Sequence, residues 1–225
     1  MIAQIQTEIE VNEDASEQRL VWAPDGYFDE AQLQAGIQQE LQAMKKFDVY
    51  DEVDTSTWSA AEKKALVATK WVMVQKTPES VRARLVCKGF NEQIDDKGTV
   101  FAATPNFSTP MVLLTVGLAT DFQFRGMDIS TAFLHAPVHN EVYVQPPSEA
   151  TSGSSIAWKL KRAMCGLRSA PASWQVHFSS LLQEWGFTRL KTDSCLLVNS
   201  SKDLWVLVWV DDLLIARAAL SLIHI

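Results

Sequence analysis

The sequence predicts an ordered protein with mixed α-helical and β-strand structure. Its 225 residues are 47% hydrophobic and 21% charged, which is enough apolar material for one sizeable core, with room for two lobes. Segments with helically spaced apolar residues alternate with short apolar runs that are typical of strands. The sequence holds no repeat and no low-complexity segment, which argues against fibrous and disordered proteins.

The first half predicts a helix followed by a basic hairpin. The helix begins near Phe28, and its apolar residues recur at steps of three and four: Leu33, Ile37, Leu41, Met44 and Phe47. The segments KWVMVQK (70–76) and RARLVCKG (82–89) predict two strands joined by the turn residues TPES. The hairpin's basic residues, which are either simply solvated or placed to bind phosphate, are Lys70, Lys76, Arg82, Arg84 and Lys88.

Helices and strands continue to alternate in the second half. Segment 108–120 predicts a helix capped by Ser108 or Thr109, and 122–130 predicts a strand. A short helical turn, TAFLHA, and a strand at 141–145 follow. Further along, 170–187 predicts a strong amphipathic helix closed by a glycine, and 194–199 predicts another strand.

The last predicted element is a hairpin with two acids at its tip. Leu204–Val210 and Leu213–Ala216 are apolar runs typical of buried strands, and the break between them is Asp211–Asp212. A two-residue break predicts a tight turn, but such turns favour glycine because they need positive φ. Two adjacent like charges without a glycine therefore need a compensating interaction.

A third acid, Asp128, lies inside an apolar strand, where an isolated charge is costly. If that strand neighbours the hairpin, Asp128, Asp211 and Asp212 converge and repel one another unless cations lie between them. Mg²⁺ suits such a site, since it prefers oxygen ligands, and two ions are the usual device for in-line phosphoryl transfer. The simpler alternative is a pair of solvated turn aspartates.

The charge distribution permits a nucleic-acid partner without requiring one. The net charge is −7, but residues 1–62 hold 14 acidic and 3 basic residues, whereas the remaining 163 residues hold 13 acidic and 17 basic ones. An acidic leader thus precedes a body with a net charge of +4. No apolar run approaches the ~20 residues of a membrane span, and three scattered cysteines favour an intracellular, cytoplasmic location.

Two smaller groups of residues have alternative explanations. His135 and His139 have a spacing that can bind zinc on a helix, but Pro137 interrupts the helix and no third ligand is near in sequence, so structural roles are favoured. Three tryptophans could stack on bases, although helical spacing first makes the last two core residues: Trp158, Trp174 and Trp185.

Five segments, in chain order, resemble copia-type retrotransposon reverse transcriptases. WVDDLLIA resembles the YVDD-type box, and GMDISTAFLHAPVHNEVYVQPP resembles the segment that carries the first catalytic aspartate. The others resemble the fingers hairpin, the GLKQ-type turn with its helix, and the stretch before the last hairpin: KWVMVQK with RARLVCKGFNEQ, CGLRSAPASW, and GFTRLKTDSCLL. Together the blocks span residues 28–216, and their order is more specific than any one motif.

The resemblance implies an α+β right-hand polymerase with fingers and palm and an antiparallel palm sheet with packed helices. The thumb that follows the palm in the family is expected to be missing. It implies Asp128 and Asp211 as principal metal ligands, with Asp212 beside them, for two Mg²⁺ ions or Mn²⁺. Phe133 falls where the family has an aromatic that excludes a 2′-OH, although an ordinary core role is equally compatible. The resemblance places the nucleotide's triphosphate at the basic hairpin and leaves open which of Arg82, Arg84 and Lys76 holds it.

The expected partners are an RNA template, a DNA primer and dNTPs, within virus-like particles in the family, and a full-length element would add RNase H and integrase domains. We expect an acidic leader at 1–27, a fingers and palm domain at 28–217, and an unmatched tail at 218–225. The chain is interpreted as an RNA-directed DNA polymerase domain, truncated after the palm. The alternative is a non-catalytic remnant that binds nucleic acid weakly.

Several residues depart from the family pattern. Trp209 replaces the usual tyrosine of the YVDD box, Ser169 a glutamine, and Ala172 and Met111 common arginines. Because nucleotide placement depends on such groups and no thumb is present, we expect little or no primer extension. Adding a thumb and restoring Ser169→Gln and Ala172→Arg is expected to raise it.

Overall fold

The computed structural model describes residues 28–94, 100–151 and 155–218, together with the backbone of Val11–Asn12. The helices are α1 (Glu30–Lys46), α2 (Ala60–Lys64), α3 (Ser108–Ala119), α4 (Ala132–His135) and α5 (Ala170–Glu184). The strands are β1 (Val11–Asn12), β2 (Tyr50–Asp54), β3 (Thr69–Thr77), β4 (Ser80–Cys87), β5 (Phe122–Ile129), β6 (Tyr143–Val144), β7 (Ile156–Leu160), β8 (Thr188–Arg189), β9 (Leu196–Asn199), β10 (Leu204–Trp209) and β11 (Asp212–Ala218). None of the helices within these described residues is long and apolar enough to cross a bilayer.

The described chain forms two compact units. The first contains residues 101–132 and 175–218 with β1, and the second contains residues 28–94 and 133–174, the latter range lacking 152–154. The prediction of mixed α and β structure is confirmed, and every strand pair in the three sheets is antiparallel. The predicted leader, apart from Val11–Asn12, and the tail beyond residue 218 lie outside the described residues.

The first unit is built on a six-stranded sheet with the order β1-β5-β11-β10-β9-β8. Helix α3 packs on one face of it, where Leu113 contacts a cluster of apolar side chains from four strands. The cluster contains Leu196, Leu207 and Ala216, and the half-buried Phe122, Phe124, Trp205 and Leu214. Burying these apolar surfaces stabilises the unit by about 25 cal/mol per Å² removed from water.

The predicted helix at 108–120 is present, but its predicted cap is wrong. Ser108 is already the first helical residue, and the residue before it, Phe107, makes no side-chain cap. The side chain of Asn106 accepts hydrogen bonds from the backbone N–H and the hydroxyl of Ser108, at 3.1 and 2.9 Å. An asparagine two residues earlier therefore satisfies one donor of the first turn, as short polar side chains do in Asx turns.

The second unit holds a three-stranded sheet, β2-β7-β6, and the two-stranded β3-β4 hairpin. The predicted hairpin is confirmed, with the strand at 82–89 ending at Cys87. Helix α1, confirmed from the periodic pattern, buries Ile37, Leu41 and Met44. It packs against β4 so closely that a Cβ on Gly36 would lie 2.4 Å from the carbonyl oxygen of Val81.

Some elements differ from the prediction. The strand expected at 141–145 is only two residues long, and β2 and β7 were not predicted at all. β2 carries three acids among its five residues, so it lacks the apolar run that marks a strand, whereas β7 is mostly apolar but only five residues long. Trp158, on β7, is fully buried and stacks on Tyr50 with ring centroids 3.8 Å apart, so its suggested role in stacking on bases is wrong.

Candidate active site

The candidate active site is centred on β5 and β11, which are hydrogen-bonded neighbours. In their register Asp212 lies directly opposite Asp128. The N–H of Ile129 donates to the carbonyl of Asp211 at 2.9 Å, so the Asp128–Asp212 pair is one whose own backbones do not bond to each other. In such pairs the Cα atoms are about 4.5 Å apart and the two side chains are at their closest, on one face of the sheet.

The turn between β10 and β11 lies one residue earlier than predicted. Its two central residues are Val210 and Asp211, and Trp209 pairs with Asp212 across its base. Val210 has a positive φ of 57° whereas Asp211 does not, the pattern of a type II′ hairpin turn. The prediction of Asp211–Asp212 as the tip is therefore wrong, and the shift places Asp212 in the ladder.

A β-branched residue with positive φ is strained by roughly 1–3 kcal/mol. A glycine at position 210 would avoid this strain, but the residue there is valine. The strained turn holds Asp211 next to the paired acids, so backbone strain is concentrated where the charges are concentrated.

The electrostatics around Asp212 are unfavourable to its charged form. Partial loss of solvent around its carboxylate, and then repulsion from Asp211, raise the pKa of Asp212, although the residue is largely exposed. Like charges directly opposite each other on neighbouring strands destabilise a sheet. The three acids therefore form a negatively charged edge that favours either protonation or a bound cation.

The donor set suits a hard divalent cation, since all three groups are carboxylates. The register supplies two of them side by side, Asp128 and Asp212, and the turn supplies Asp211. Within the described residues, however, no group of three or more histidine, cysteine or acidic side chains is already placed to hold a metal ion. The chemistry of the site fits magnesium, whereas its three-ligand geometry is not preassembled.

Trp209 extends the row of site residues onto a third strand. It lies opposite Asp212 on β10, so Asp128, Asp212 and Trp209 form one row across three strands on the same face. The Trp209 side chain is 54% exposed, although a large apolar side chain would normally be buried. An exposed indole beside carboxylates provides a flat surface for a base or sugar.

Basic residues converge on the β3-β4 hairpin of the second unit. Arg82 and Arg84 alternate with buried residues on β4, and their partners across the hairpin are Val74 and Val72. Lys70 faces Val86 in the same alternation, so three basic residues lie on one side of the hairpin. Lys76 falls at an irregularity in the register between Gln75 and Thr77. The three nucleotide-binding candidates are thus on one hairpin.

Comparison of the sequence with known protein families identifies one family that matches most of the chain. Residues 48–224 match the model of the family described as reverse transcriptase (RNA-dependent DNA polymerase). The chain belongs to this family. This match confirms the resemblance to reverse transcriptases that the sequence motifs indicated.

Relatives of this reverse transcriptase chain are much longer polyproteins of transposons. It is 26% identical over 195 residues to the Retrovirus-related Pol polyprotein from transposon TNT 1-94 of Nicotiana tabacum, covering 82% of this chain and 14% of that protein. It is 30% identical over 172 residues to the Pol polyprotein from transposon RE1 of Arabidopsis thaliana, covering 71% and 12%. It is 24% identical over 179 residues to the Transposon Ty1-DR4 Gag-Pol polyprotein of Saccharomyces cerevisiae, covering 78% and 11%.

The remaining predicted site residues of this reverse transcriptase chain lie in its second unit. Phe133 is half-buried on α4, and its carbonyl accepts the N–H of Ala136 at 3.0 Å. Half-burial is compatible with either a sugar contact or a core role. His135 packs edge-on against Phe47 with ring centroids 4.6 Å apart, and Trp174 is fully buried, so a base-stacking role for Trp174 is wrong.

Two acids of the second unit were missed by the sequence analysis. Glu40 of α1 accepts the N–H of Leu85 at 3.2 Å; burial raises the pKa of Glu40, while that hydrogen bond and Arg84 and Arg82 lower it in part. Glu92, 5% exposed, accepts the N–H of Arg168 at 2.5 Å. For Glu40, the signal in the sequence was an acid within an apolar helix face. For Glu92, it was an acid beside a glycine-containing turn.

The structure also shows what two of the departing residues, Ser169 and Ala172, do. The hydroxyl of Ser169 donates to Glu92, and the backbone N–H of Ser169 does so at 3.3 Å. A buried carboxylate thus satisfies free donors just before α5, where a negative charge is favourable. Ala172, on the first turn of α5, is 2% exposed, which leaves no room for an arginine in this packing.

Proposed function

We propose that the chain is the RNA-directed DNA polymerase domain of a copia-type retrotransposon polyprotein. The primer's 3′-OH would attack the α-phosphate of a dNTP opposite an RNA template, with pyrophosphate as the leaving group. The observation that carries the proposal is the register that places Asp212 opposite Asp128, with Asp211 in the adjoining turn. Family membership supports the reaction class.

In this proposal the first unit acts as the palm and the β3-β4 hairpin belongs to the fingers. The palm would supply the carboxylates at the end of β5 and β11, and the hairpin would supply the cations that bind the triphosphate. Arg82 and Arg84 suit this role because a guanidinium binds phosphate oxygens through two parallel hydrogen bonds. Glu40, next to them, would limit how strongly they attract other anions.

Asp128, Asp211 and Asp212 would hold two Mg²⁺ ions, or Mn²⁺ in their place. Such ions, when bound, make a hydroxyl more acidic and neutralise charge on the leaving pyrophosphate. The chain's own contribution is to hold three carboxylates on one edge and to present the exposed Trp209 beside them for the primer end. Orientation of this kind supplies much of the rate in a transfer reaction.

A second candidate is a folded remnant that binds nucleic acid without catalysis. Two observations favour it: the described residues hold no preassembled three-ligand metal group, and Ser169 and Ala172 are committed to the protein's own packing. In that case the basic hairpin would still bind phosphates, with affinity that falls steeply with salt.

Primer extension on an RNA template with dNTPs and Mg²⁺ distinguishes the two candidates. The polymerase proposal predicts detectable, weak extension that is lost in Asp128→Asn and in Asp212→Asn, with Asp121→Asn as the control. Asp121 is an exposed acid at a turn with a φ of 58°, a conformation that asparagine also tolerates. Salt-sensitive binding of the duplex with no extension at any enzyme concentration would favour the remnant.

A further inference from the structure

Gly126 has no explanation within the fold that the structure describes. It lies in the interior of β5, two residues before Asp128, and therefore faces the same side of the sheet. Its φ is not positive, so any residue could adopt this backbone. A glycine in the interior of a strand is less stable than alanine, and such a position often marks the close approach of a ligand.

Among the described residues, none comes close to the position that a side chain on Gly126 would occupy. A Cβ built on it would meet no described atom within 4 Å, whereas a Cβ on Gly117 of α3 would lie 2.2 Å from the ring of Phe124. The described glycines that contact other elements closely are small because the protein itself approaches them. Gly126 is the opposite case, since nothing in the described chain requires it to be small.

The surrounding surface is bounded and lies next to the carboxylates. Helix α3 covers the face at the far end of β5, where Phe122 and Phe124 pack against Gly117. Moving along β5, Gly126 is the one exposed residue on that face of the strand, and the half-buried Asp128 follows it. Gly126 pairs with Leu214, so this pair carries no charge, whereas the adjoining row carries the two acids and Trp209.

We propose that Gly126 sets the clearance with which a polynucleotide strand reaches the carboxylates. The group that fits an uncharged, open position beside them is the sugar of the strand end, because a phosphate there would meet Asp128 and Asp212 directly. Gly126 is thus a positioning residue: it does not react, but any side chain there would push the strand away from the acids. This inference rests on the proposed function.

The test uses the full chain with Gly126→Ala and Gly126→Leu, and Gln123→Leu as the control. Gln123 is exposed on the same strand and faces the other side of the sheet. The probe is a fluorescein-labelled DNA primer annealed to an RNA template, titrated by fluorescence anisotropy at low salt with Mg²⁺. We expect duplex Kd to rise about threefold for Gly126→Ala and roughly tenfold or more for Gly126→Leu, with no change for Gln123→Leu.

Thermal unfolding separates clearance from stability. The alanine Cβ would meet no described atom, and glycine destabilises the interior of a strand. The Gly126→Ala variant is therefore expected to have a Tm equal to or higher than that of the parent. Equal duplex Kd in the parent and both Gly126 variants would overturn the inference while leaving the proposed function intact. If the parent chain does not bind the duplex, both the inference and the proposed function are overturned. If the parent chain shows no metal-dependent rise in Tm, only the proposed function is contradicted.

Discussion

Asp212 lies directly opposite Asp128 on the neighbouring strand, in a pair whose backbones do not hydrogen-bond to each other. Side chains in such pairs are closer together than those in the hydrogen-bonded pairs of an antiparallel sheet. Like charges directly opposite each other on neighbouring strands disfavour a sheet. The pairing is therefore better explained by a ligand that neutralises the charge than by a contribution to folding.

The pH dependence of stability follows from the raised pKa of Asp212. A carboxyl whose pKa is higher in the folded than in the unfolded state favours folding below the unfolded pKa, and that contribution is lost as pH rises through the folded value. We expect metal-free Asp212→Asn to unfold about 1–2 °C above the parent at pH 7. The difference should shrink near pH 4, as differential scanning fluorimetry can measure.

Asp193 provides a control of opposite sign. Burial acts to raise its pKa, but hydrogen bonds from Thr109 at 2.5 Å and from the backbones of Cys195 and Asn106 outweigh burial and lower it. Its contribution is present above the unfolded pKa and lost as pH falls through the folded value. Asp193→Asn should therefore lower Tm at pH 7, and equal signs for the two variants would contradict this electrostatic account.

The basic face of the β3-β4 hairpin should bind triphosphate. We expect Arg84→Ala to weaken dNTP binding about tenfold, the effect of losing roughly 1.4 kcal/mol from charge-assisted hydrogen bonds. The fluorescence of Trp71, on the same hairpin, is a suitable measurement. Arg217→Ala removes an exposed arginine from β11 and is the charge-matched control. Equal losses in both variants would indicate a general charge effect.

Restoring family residues should have unequal consequences. Ala172 is 2% exposed whereas Met111 is 53% exposed. Ala172→Arg must place a guanidinium in packed surroundings, which we expect to cost about 2–4 kcal/mol, while Met111→Arg should change stability by less than about 0.5 kcal/mol. Urea unfolding measures both. Of the changes expected to raise primer extension together, Ala172→Arg is therefore expected to reduce the amount of folded protein.

The order of the main elements and the neighbouring positions of the acid-bearing strands could be predicted from the sequence. Apolar runs mark strands such as β10 strongly, and the helical period marks α1 and α5. The turn register could not be predicted, because propensity disfavours a positive φ at Val210 and so favours placing the tip at the aspartates. In the structure the hydrogen-bonded pairing of β10 and β11 extends to Trp209 and Asp212, which places Val210 and Asp211 at the tip.

The roles of Glu92 and Gly126 could not be predicted for a different reason. Glu92 acts through residues 76 and 77 positions away in the sequence, Arg168 and Ser169, and no local pattern encodes such a contact. Gly126 is defined by the absence of nearby described atoms, which only coordinates can reveal. In both cases the residue type is visible in the sequence, and its surroundings are not.

The most direct test of the central claim is the effect of Mn²⁺ on thermal unfolding of the parent chain, Asp128→Asn, Asp212→Asn and the control Asp121→Asn. An ion that binds only the folded state raises Tm, because binding shifts the equilibrium away from the unfolded chain. We expect Tm to rise with Mn²⁺ in the parent and the control, and the rise to be largely lost in Asp128→Asn and Asp212→Asn. Equal Mn²⁺-induced shifts in all four proteins would show that the paired carboxylates are not the metal site.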